Sequence, residues 1–174
     1  MNPILTQLKL SILFIVLFSA TTLFSQVKKE NKLLIGRLEL SEKQYKSAIE
    51  KFNYIIINEP PNYEPYYFRG IAKLELGDIV GAENDFTEAI KLRPFFIDNY
   101  IIRASTRERL VNYNGAFADF DAAISIDSSN SDIYLNRAIT HNSLHNYEQA
   151  IDDCNKEKHN CETLWIQRYP MCSK

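Results

Sequence analysis

The 174-residue chain contains few of the residue patterns that mark a catalytic site. It has only five glycines and three cysteines, and no glycine-rich loop that could cradle a phosphate group. No serine or cysteine lies in a recognised nucleophile motif, and no metalloprotease helix motif occurs. The many carboxylates are explained as helix caps, ion pairs or solvent-facing groups. The sequence therefore predicts a protein that is not an enzyme.

An excess of positive charge is also missing. The chain has 20 Lys and Arg against 22 Asp and Glu, which gives a net charge of -2 and a pI of about 5.9. Binding to nucleic acid phosphates needs a concentrated basic face, and no such patch is visible in the sequence. We therefore expect no nucleic-acid partner.

Long apolar runs are confined to the first 25 residues. Lys9 is the only charge there, and residues 10–24 are mostly apolar and are followed by the small residue Ser25. This pattern is typical of a secretory signal peptide, which predicts an exported chain in the periplasm or at the cell surface. A bilayer-spanning helix needs about 20 apolar residues, so an uncleaved membrane anchor is the alternative.

The rest of the sequence repeats with a period of 34 residues. Alanine recurs at Ala48, Ala82, Ala116 and Ala150, and phenylalanine follows four residues later at Phe52, Phe86 and Phe120. Small residues also recur at Gly36, Gly70, Ala104 and Ala138, and prolines at Pro60 and Pro94. This period, with small and aromatic residues at fixed offsets, resembles the tetratricopeptide repeat family over about residues 29–164.

The resemblance implies an all-α fold: a right-handed superhelical array, or α-α solenoid, of about four helix-turn-helix repeats. The predicted division is a signal peptide at 1–25, repeats at 26–62, 63–96, 97–130 and 131–164, and a C-terminal tail or partial cap at 165–174. Polar residues mark the predicted helix starts. Asp78, Asn112 and Asn146 lie 34 residues apart and are expected to be N-caps of the second helices.

An arginine and an aspartate recur together. Arginine occupies the same place on three predicted first helices, and aspartate the same place on three second helices: Arg69, Arg103 and Arg137, with Asp85, Asp119 and Asp153. The first repeat has Ile35 and Lys51 there, so both residues are missing together. This pattern predicts an Arg–Asp contact between helices. A basic ladder that binds an anionic ligand is the alternative.

In the resembling family, ligands contact outward positions of the first helices on the concave surface. Carried onto this sequence, the partner-binding residues are Leu33, Arg37, Tyr67, Ile71, Ile101, Leu135, Ile139 and Asn142. One subgroup of the family binds the C-terminal carboxylate of a peptide through lysines and other polar residues at these positions. Four of the residues here, Leu33, Tyr67, Ile101 and Leu135, stand where lysines would be needed, so we do not predict this mode of binding. The mostly apolar lining instead suits the apolar face of a helix or an extended hydrophobic segment. The alternative is that these residues only pack against neighbouring helices.

All three cysteines lie near the C-terminus. Cys161 and Cys172 are the disulfide candidates, which would leave Cys154 buried, and a Cys154–Cys161 bond is the competing pair. Cys154, His159 and Cys161 do not have a recognised four-ligand spacing, so we predict no metal site and no cofactor.

Together these observations predict a non-catalytic scaffold or adaptor of the cell envelope that binds a protein or peptide partner of unknown identity. One alternative is a self-assembling module, a homo-oligomer formed through an uncapped C-terminal repeat. The other is a thiol- or metal-dependent protein. Membrane association is expected only if the N-terminal segment is retained.

Overall fold

The computed structural model describes residues 32–156, and all regular structure within that range is helical. Helix α1 covers residues 32–41. It is followed by α2 (Tyr45–Asn58), α3 (Tyr63–Glu75), α4 (Ile79–Leu92), α5 (Ile97–Arg109), α6 (Tyr113–Ile126), α7 (Ser131–Ser143) and α8 (Tyr147–Lys156). The prediction of an all-α array of helix-turn-helix units is confirmed. The predicted signal peptide and the Cys161–Cys172 candidates lie outside this range.

The chain divides into two compact units between Pro60 and Pro61. The first contains the helix pair α1–α2. In the second, α3 packs against α4, α5 against α6 and α7 against α8, and each pair packs against the next through α4–α5 and α6–α7. None of the helices in residues 32–156 combines the length and the apolar character needed to cross a membrane.

In the first two pairs the core is built from a glycine facing an aromatic ring. Phe86 is fully buried, and a Cβ atom added to Gly70 would lie 2.7 Å from its ring. Gly36 and Phe52 meet in the same way within the first unit. Because the ring occupies the space that a side chain would take, the two helices approach closely. Truncating such a buried phenylalanine to alanine costs about 3–5 kcal/mol.

Two of the predicted N-caps are confirmed. The Asp78 carboxylate accepts a hydrogen bond of 2.9 Å from the amide of Gly81, and the Asn112 side chain accepts one of 3.0 Å from the amide of Gly115. Each satisfies a backbone donor that the first helical turn leaves unpaired. The capping role of Asn146, which directly precedes α8, stays a prediction.

The turn within each helix pair contains one residue in the left-handed region. These residues lie 34 positions apart: Lys43 (φ 62°), Gly77 (φ 83°), Val111 (φ 60°) and His145 (φ 62°). A left-handed residue after a helix lets the chain reverse while the last carbonyl groups remain hydrogen-bonded. Only Gly77 adopts this conformation without a steric cost, and for the β-branched Val111 it is strained.

Candidate functional site

A buried layer of ion pairs lies between the helices of the second unit. Arg103 donates from Nε and Nη2 to the Asp119 carboxylate, at 3.0 and 2.6 Å. The same two-bond contact joins Arg69 to Asp85 on α3 and α4, and Arg137 to Asp153 on α7 and α8. The predicted Arg–Asp pairing is therefore confirmed in all three helix pairs. These arginines serve the packing of the array, which weighs against the anion-binding ladder.

A second basic residue lies beside the aspartate of each pair, and it was not predicted from the sequence. Lys73 Nζ lies 2.9 Å from the Asp85 carboxylate, and Arg107 Nη1 lies 2.9 Å from that of Asp119. His141 occupies the equivalent place beside Asp153, at 4.0 Å. The three residues are 34 positions apart, so the repeat could have revealed them, but their identities differ. Asp85 and Asp119 are thus each faced by two basic residues, and Asp153 is faced by a third, Lys156, at 3.8 Å.

The cations also join one helix pair to the next. Arg107 Nε donates to Glu83 on α4 at 2.8 Å, and Arg137 Nη1 donates to Asp121 on α6 at 2.9 Å. The hydrogen bond from Arg137 to Asp153 raises the pKa of the arginine above its ordinary value. Since one guanidinium contacts two helix pairs, the layer fixes the spacing between pairs as well as within them.

His141 has a less polar environment than Lys73 or Arg107. Its ring stacks on Phe117, with centroids 4.4 Å apart. Burial lowers the pKa of His141, Asp153 opposes that change, and the charge of Arg137 adds to it. The fourth pair therefore has a titratable group where the second and third pairs have permanent cations.

The candidate binding surface follows the first helices of the pairs in the second unit. Six of the eight predicted partner-binding residues lie there: Tyr67 and Ile71 on α3, Ile101 on α5, and Leu135, Ile139 and Asn142 on α7. Residues three or four positions apart share one helical face, so α3 and α7 each contribute a short stripe, whereas α5 contributes the single residue Ile101. All six side chains are half-buried, which leaves part of each one accessible.

The helices that carry these six residues are linked to one another by direct contacts. The Glu108 carboxylate on α5 accepts hydrogen bonds from the hydroxyl groups of Thr140 and Ser143 on α7, at 3.2 and 2.9 Å. Between α3 and α5, the Tyr67 ring lies 6.0 Å from that of Phe96, which precedes α5. The three helices are therefore neighbours, and their six candidate residues make up the candidate binding surface.

Part of this surface also packs into the interior. The Tyr67 ring lies 6.2 Å from the buried Phe86 ring, and Ile101 packs against the cluster that contains Phe120. Burial raises the pKa of Tyr67, and the nearby charge of Asp98 raises it further. These two residues have both a packing role and an accessible face, so the interior-packing alternative applies to them in part.

The other two predicted residues belong to the first compact unit. Leu33 is half-buried on α1, and Arg37 on the same helix is exposed. Whether they bind a partner stays a prediction.

The residues proposed for metal chemistry are not assembled within residues 32–156. No group of three His, Cys, Asp or Glu side chains in this range could hold a metal ion. His145 lies in the left-handed turn, where its Nδ1 is 2.7 Å from the Tyr147 hydroxyl, and Cys154 is buried beside Ala138 and Ala150. His159 lies outside the described residues.

Comparison with solved structures identifies the fold. A crystal structure of MamA superposes with a TM-score of 0.68 at 19% identity, covering 74% of this chain and 75% of that one. The tetratricopeptide repeat domain of Arabidopsis OM64 gives 0.61 at 27% identity, over 66% and 95%. YrrB, described as a tetratricopeptide repeat protein with an unusual peptide-binding site, gives 0.62 at 18% identity, over 79% and 66%.

The sequence matches no protein-family model and no curated protein. The fold that the 34-residue period predicts is nevertheless confirmed by the structural matches.

Proposed function

We propose that this tetratricopeptide repeat chain is a non-catalytic interaction module that binds a segment of another protein on the surface formed by α3, α5 and α7. The observation that carries the proposal is the recurrence of half-buried, mostly apolar residues at equivalent places on α3, α5 and α7. A surface of this kind suits an apolar peptide or helix face. YrrB, which has the same fold, is described as having a peptide-binding site, and this supports the proposal.

The chemistry of the buried charges supports a role without catalysis. Asp85, Asp119 and Asp153 each accept two hydrogen bonds from an arginine. Such groups have a packing role and need no reaction to explain them.

We place the module in the cell envelope, in the periplasm or at the cell surface, as a scaffold or adaptor. This part rests on the composition of residues 1–25 alone. Fractionation of cells that express the full chain, with mass spectrometry of its N-terminus, tests it. A cytosolic chain that retains Met1 would refute export.

The binding surface is tested by affinity capture from the envelope fraction, with captured proteins identified by mass spectrometry. The parent chain is compared with a double variant, Ile71→Ala and Ile139→Ala. A matched control changes two exposed apolar residues elsewhere, Ile57→Ala and Val80→Ala. We expect a partner that the parent and the control both capture and the surface variant loses. Equal capture by all three proteins would show that the surface is not used.

Self-assembly is a second candidate because both ends of the described chain expose apolar side chains. On α1, Leu34 and Leu38 are 62% and 56% exposed, and on α8, Ile151 is 59% exposed. The residue at the position of Ile151 in the preceding pair is Phe117, which stacks on the next helix pair. Exposed apolar faces at the ends of an array favour end-to-end association.

This candidate predicts a mass that rises with concentration in sedimentation or light scattering. Ile151→Glu should abolish the rise, and Ile57→Glu, a change at another exposed apolar residue, should not. A mass that stays monomeric at all concentrations would exclude self-assembly.

A further inference from the structure

The binding surface has an acidic edge. A carboxylate lies one turn before the first candidate residue of each helix. These carboxylates are Glu64 on α3, Asp98 on α5 and Asp132 on α7. Because residues three positions apart share a helical face, each carboxylate lies on the same face as Tyr67, Ile101 or Leu135. The apolar stripes are therefore bordered by negative charge at the helix starts.

These three carboxylates differ from the other recurring aspartates. Asp98 and Asp132 are exposed, and Glu64 accepts a hydrogen bond of 3.1 Å from the Asn62 side chain. Within residues 32–156 none of the three forms an ion pair, whereas every aspartate of the buried layer does. Their location at helix starts is favourable because of the helix dipole, but it leaves most of their charge facing solvent.

The acidic edge is close to the apolar side chains. Burial raises the pKa of Tyr67 on α3, and the charge of Asp98 on α5 raises it further. At this end, the guanidinium of Arg93 is held over the rings of Tyr63 and Phe96, with a 2.6 Å hydrogen bond to the Tyr63 hydroxyl.

The opposite end of the surface has mixed charge. Glu108 is hydrogen-bonded to α7, and Arg109 is exposed at the end of α5. The negative charge of α3, α5 and α7 is therefore concentrated at the starts of the helices. A partner would meet this charge on one side and the apolar stripes beside it.

We propose that the surface selects a cationic amphipathic segment of its partner. The apolar side chains of that segment lie on Tyr67, Ile71 and Ile139, and its lysine or arginine residues meet Asp98 and Asp132. This inference rests on the proposed function and adds the charge of the partner. An acidic or uncharged segment with the same apolar side chains would lose the attraction, because electrostatic complementarity sets specificity and association rate.

Two synthetic helical peptides test the charge. They share every apolar position and differ only in having lysine or glutamate at every polar position. Binding to the full chain is measured by fluorescence anisotropy at low and high salt. We expect the lysine peptide to bind at least about tenfold more tightly at low salt, and this preference to shrink as salt screens the charges.

Matched variants locate the effect. Asp98→Asn with Asp132→Asn should weaken the lysine peptide by about five- to tenfold and leave the glutamate peptide unweakened. The control is Glu148→Gln with Asp152→Asn, two exposed carboxylates on α8. It changes the net charge equally and should alter binding by less than about twofold.

The outcomes separate the charge inference from the proposed surface. If both peptides bind equally and both weaken in the Ile71→Ala, Ile139→Ala variant, the surface is correct and the charge inference is wrong. An equal loss in the α8 control also overturns the charge inference. If that apolar variant binds both peptides as well as the parent, or if neither peptide binds the parent, both proposals are wrong. Circular dichroism checks that each variant is folded.

Discussion

The first helix pair and the later pairs solve the same packing problem with opposite charges. In the second pair, the buried Asp85 faces Lys73 at 2.9 Å and is also held by Arg69. In the first pair the equivalent places carry Lys51 and Glu39, 4.0 Å apart, so the acid and the base are exchanged. What the helix pair needs is therefore opposite charges at these two places, in either order.

The exchange also explains why the first pair lacks the arginine. An arginine at the position of Ile35 would face Lys51 instead of an aspartate, and two like charges in that place would repel. Ile35 removes this repulsion. The arginine and the aspartate are absent together because each is favourable only with the other.

The strength of the two arrangements should differ. Asp119 is 3% exposed as a side chain and is contacted by two arginines, whereas Lys51 is 41% exposed. Removing a buried charge leaves its partners without compensation, while water can take the place of the partly exposed Lys51 beside Glu39.

The largest predicted effect tests this difference. Asp119→Asn should lower the free energy of unfolding by about 3–5 kcal/mol, because Arg103 and Arg107 lose their buried counter-charge. Lys51→Gln, the matched change in the first pair, should cost less than about 1 kcal/mol. Urea denaturation followed by circular dichroism measures both. Similar losses in the two variants would show that the pairs are energetically equivalent.

The next prediction compares the third pair with the fourth. Asn99 is fully buried, and neither atom of its amide has a hydrogen-bond partner among the described residues. The fourth pair has the fully buried Ile133 at the same place. Asn99→Ile should therefore raise the free energy of unfolding by about 1–3 kcal/mol, and Ile133→Asn should lower it. A loss of stability in Asn99→Ile would indicate that the amide is satisfied.

A smaller effect is expected from the left-handed turns, which differ between the second and third pairs. Val111→Gly should stabilise the chain by about 1–2 kcal/mol, since the valine is held at φ 60° and is 71% exposed. Gly77→Val, the reverse change in the second pair, should destabilise it by a similar amount. Thermal unfolding measures both. If neither change has an effect, the turn is not strained.

The smallest effect concerns pH and distinguishes the fourth pair. Burial lowers the pKa of His141 in the folded chain, so the unfolded chain binds a proton first as pH falls through about 6.5. Stability from this residue is therefore complete above that pH and declines below it. Lowering the pH from 7.5 to 5.5 should reduce the free energy of unfolding of the parent more than that of His141→Gln. Equal reductions would show that His141 does not contribute.

Much of the fold could be predicted from the period alone. The Arg–Asp contact could also be predicted. The two residues occur together in three repeats and are both absent from the first, which indicates that each requires the other. The second basic residue beside each buried aspartate was not predicted, because Lys73, Arg107 and His141 share a position in the repeat but not a residue type. The left-handed turns were missed for a similar reason, since only Gly77 has the residue that signals such a turn.

The candidate site was less predictable. Helical register identifies which residues share a face, but it does not show how much of a side chain neighbouring helices cover. Tyr67 is an example, because its ring lies between the surface and the buried Phe86. The sequence places Glu64, Asp98 and Asp132 near predicted helix starts, where the helix dipole favours a carboxylate. Their closeness to the apolar stripes depends on the packing of separate helices.

The arginine contacts between neighbouring helix pairs also affect whether a whole repeat can be lost or gained. Arg103 donates to Thr87 on the preceding pair at 3.1 Å, and Arg137 makes the equivalent contact with Asp121. If residues 97–130 were deleted, the same register would bring Arg137 to Thr87 and His141 to Glu83, both of which offer an oxygen acceptor. Evolution could therefore remove or duplicate one repeat without leaving a buried charge alone.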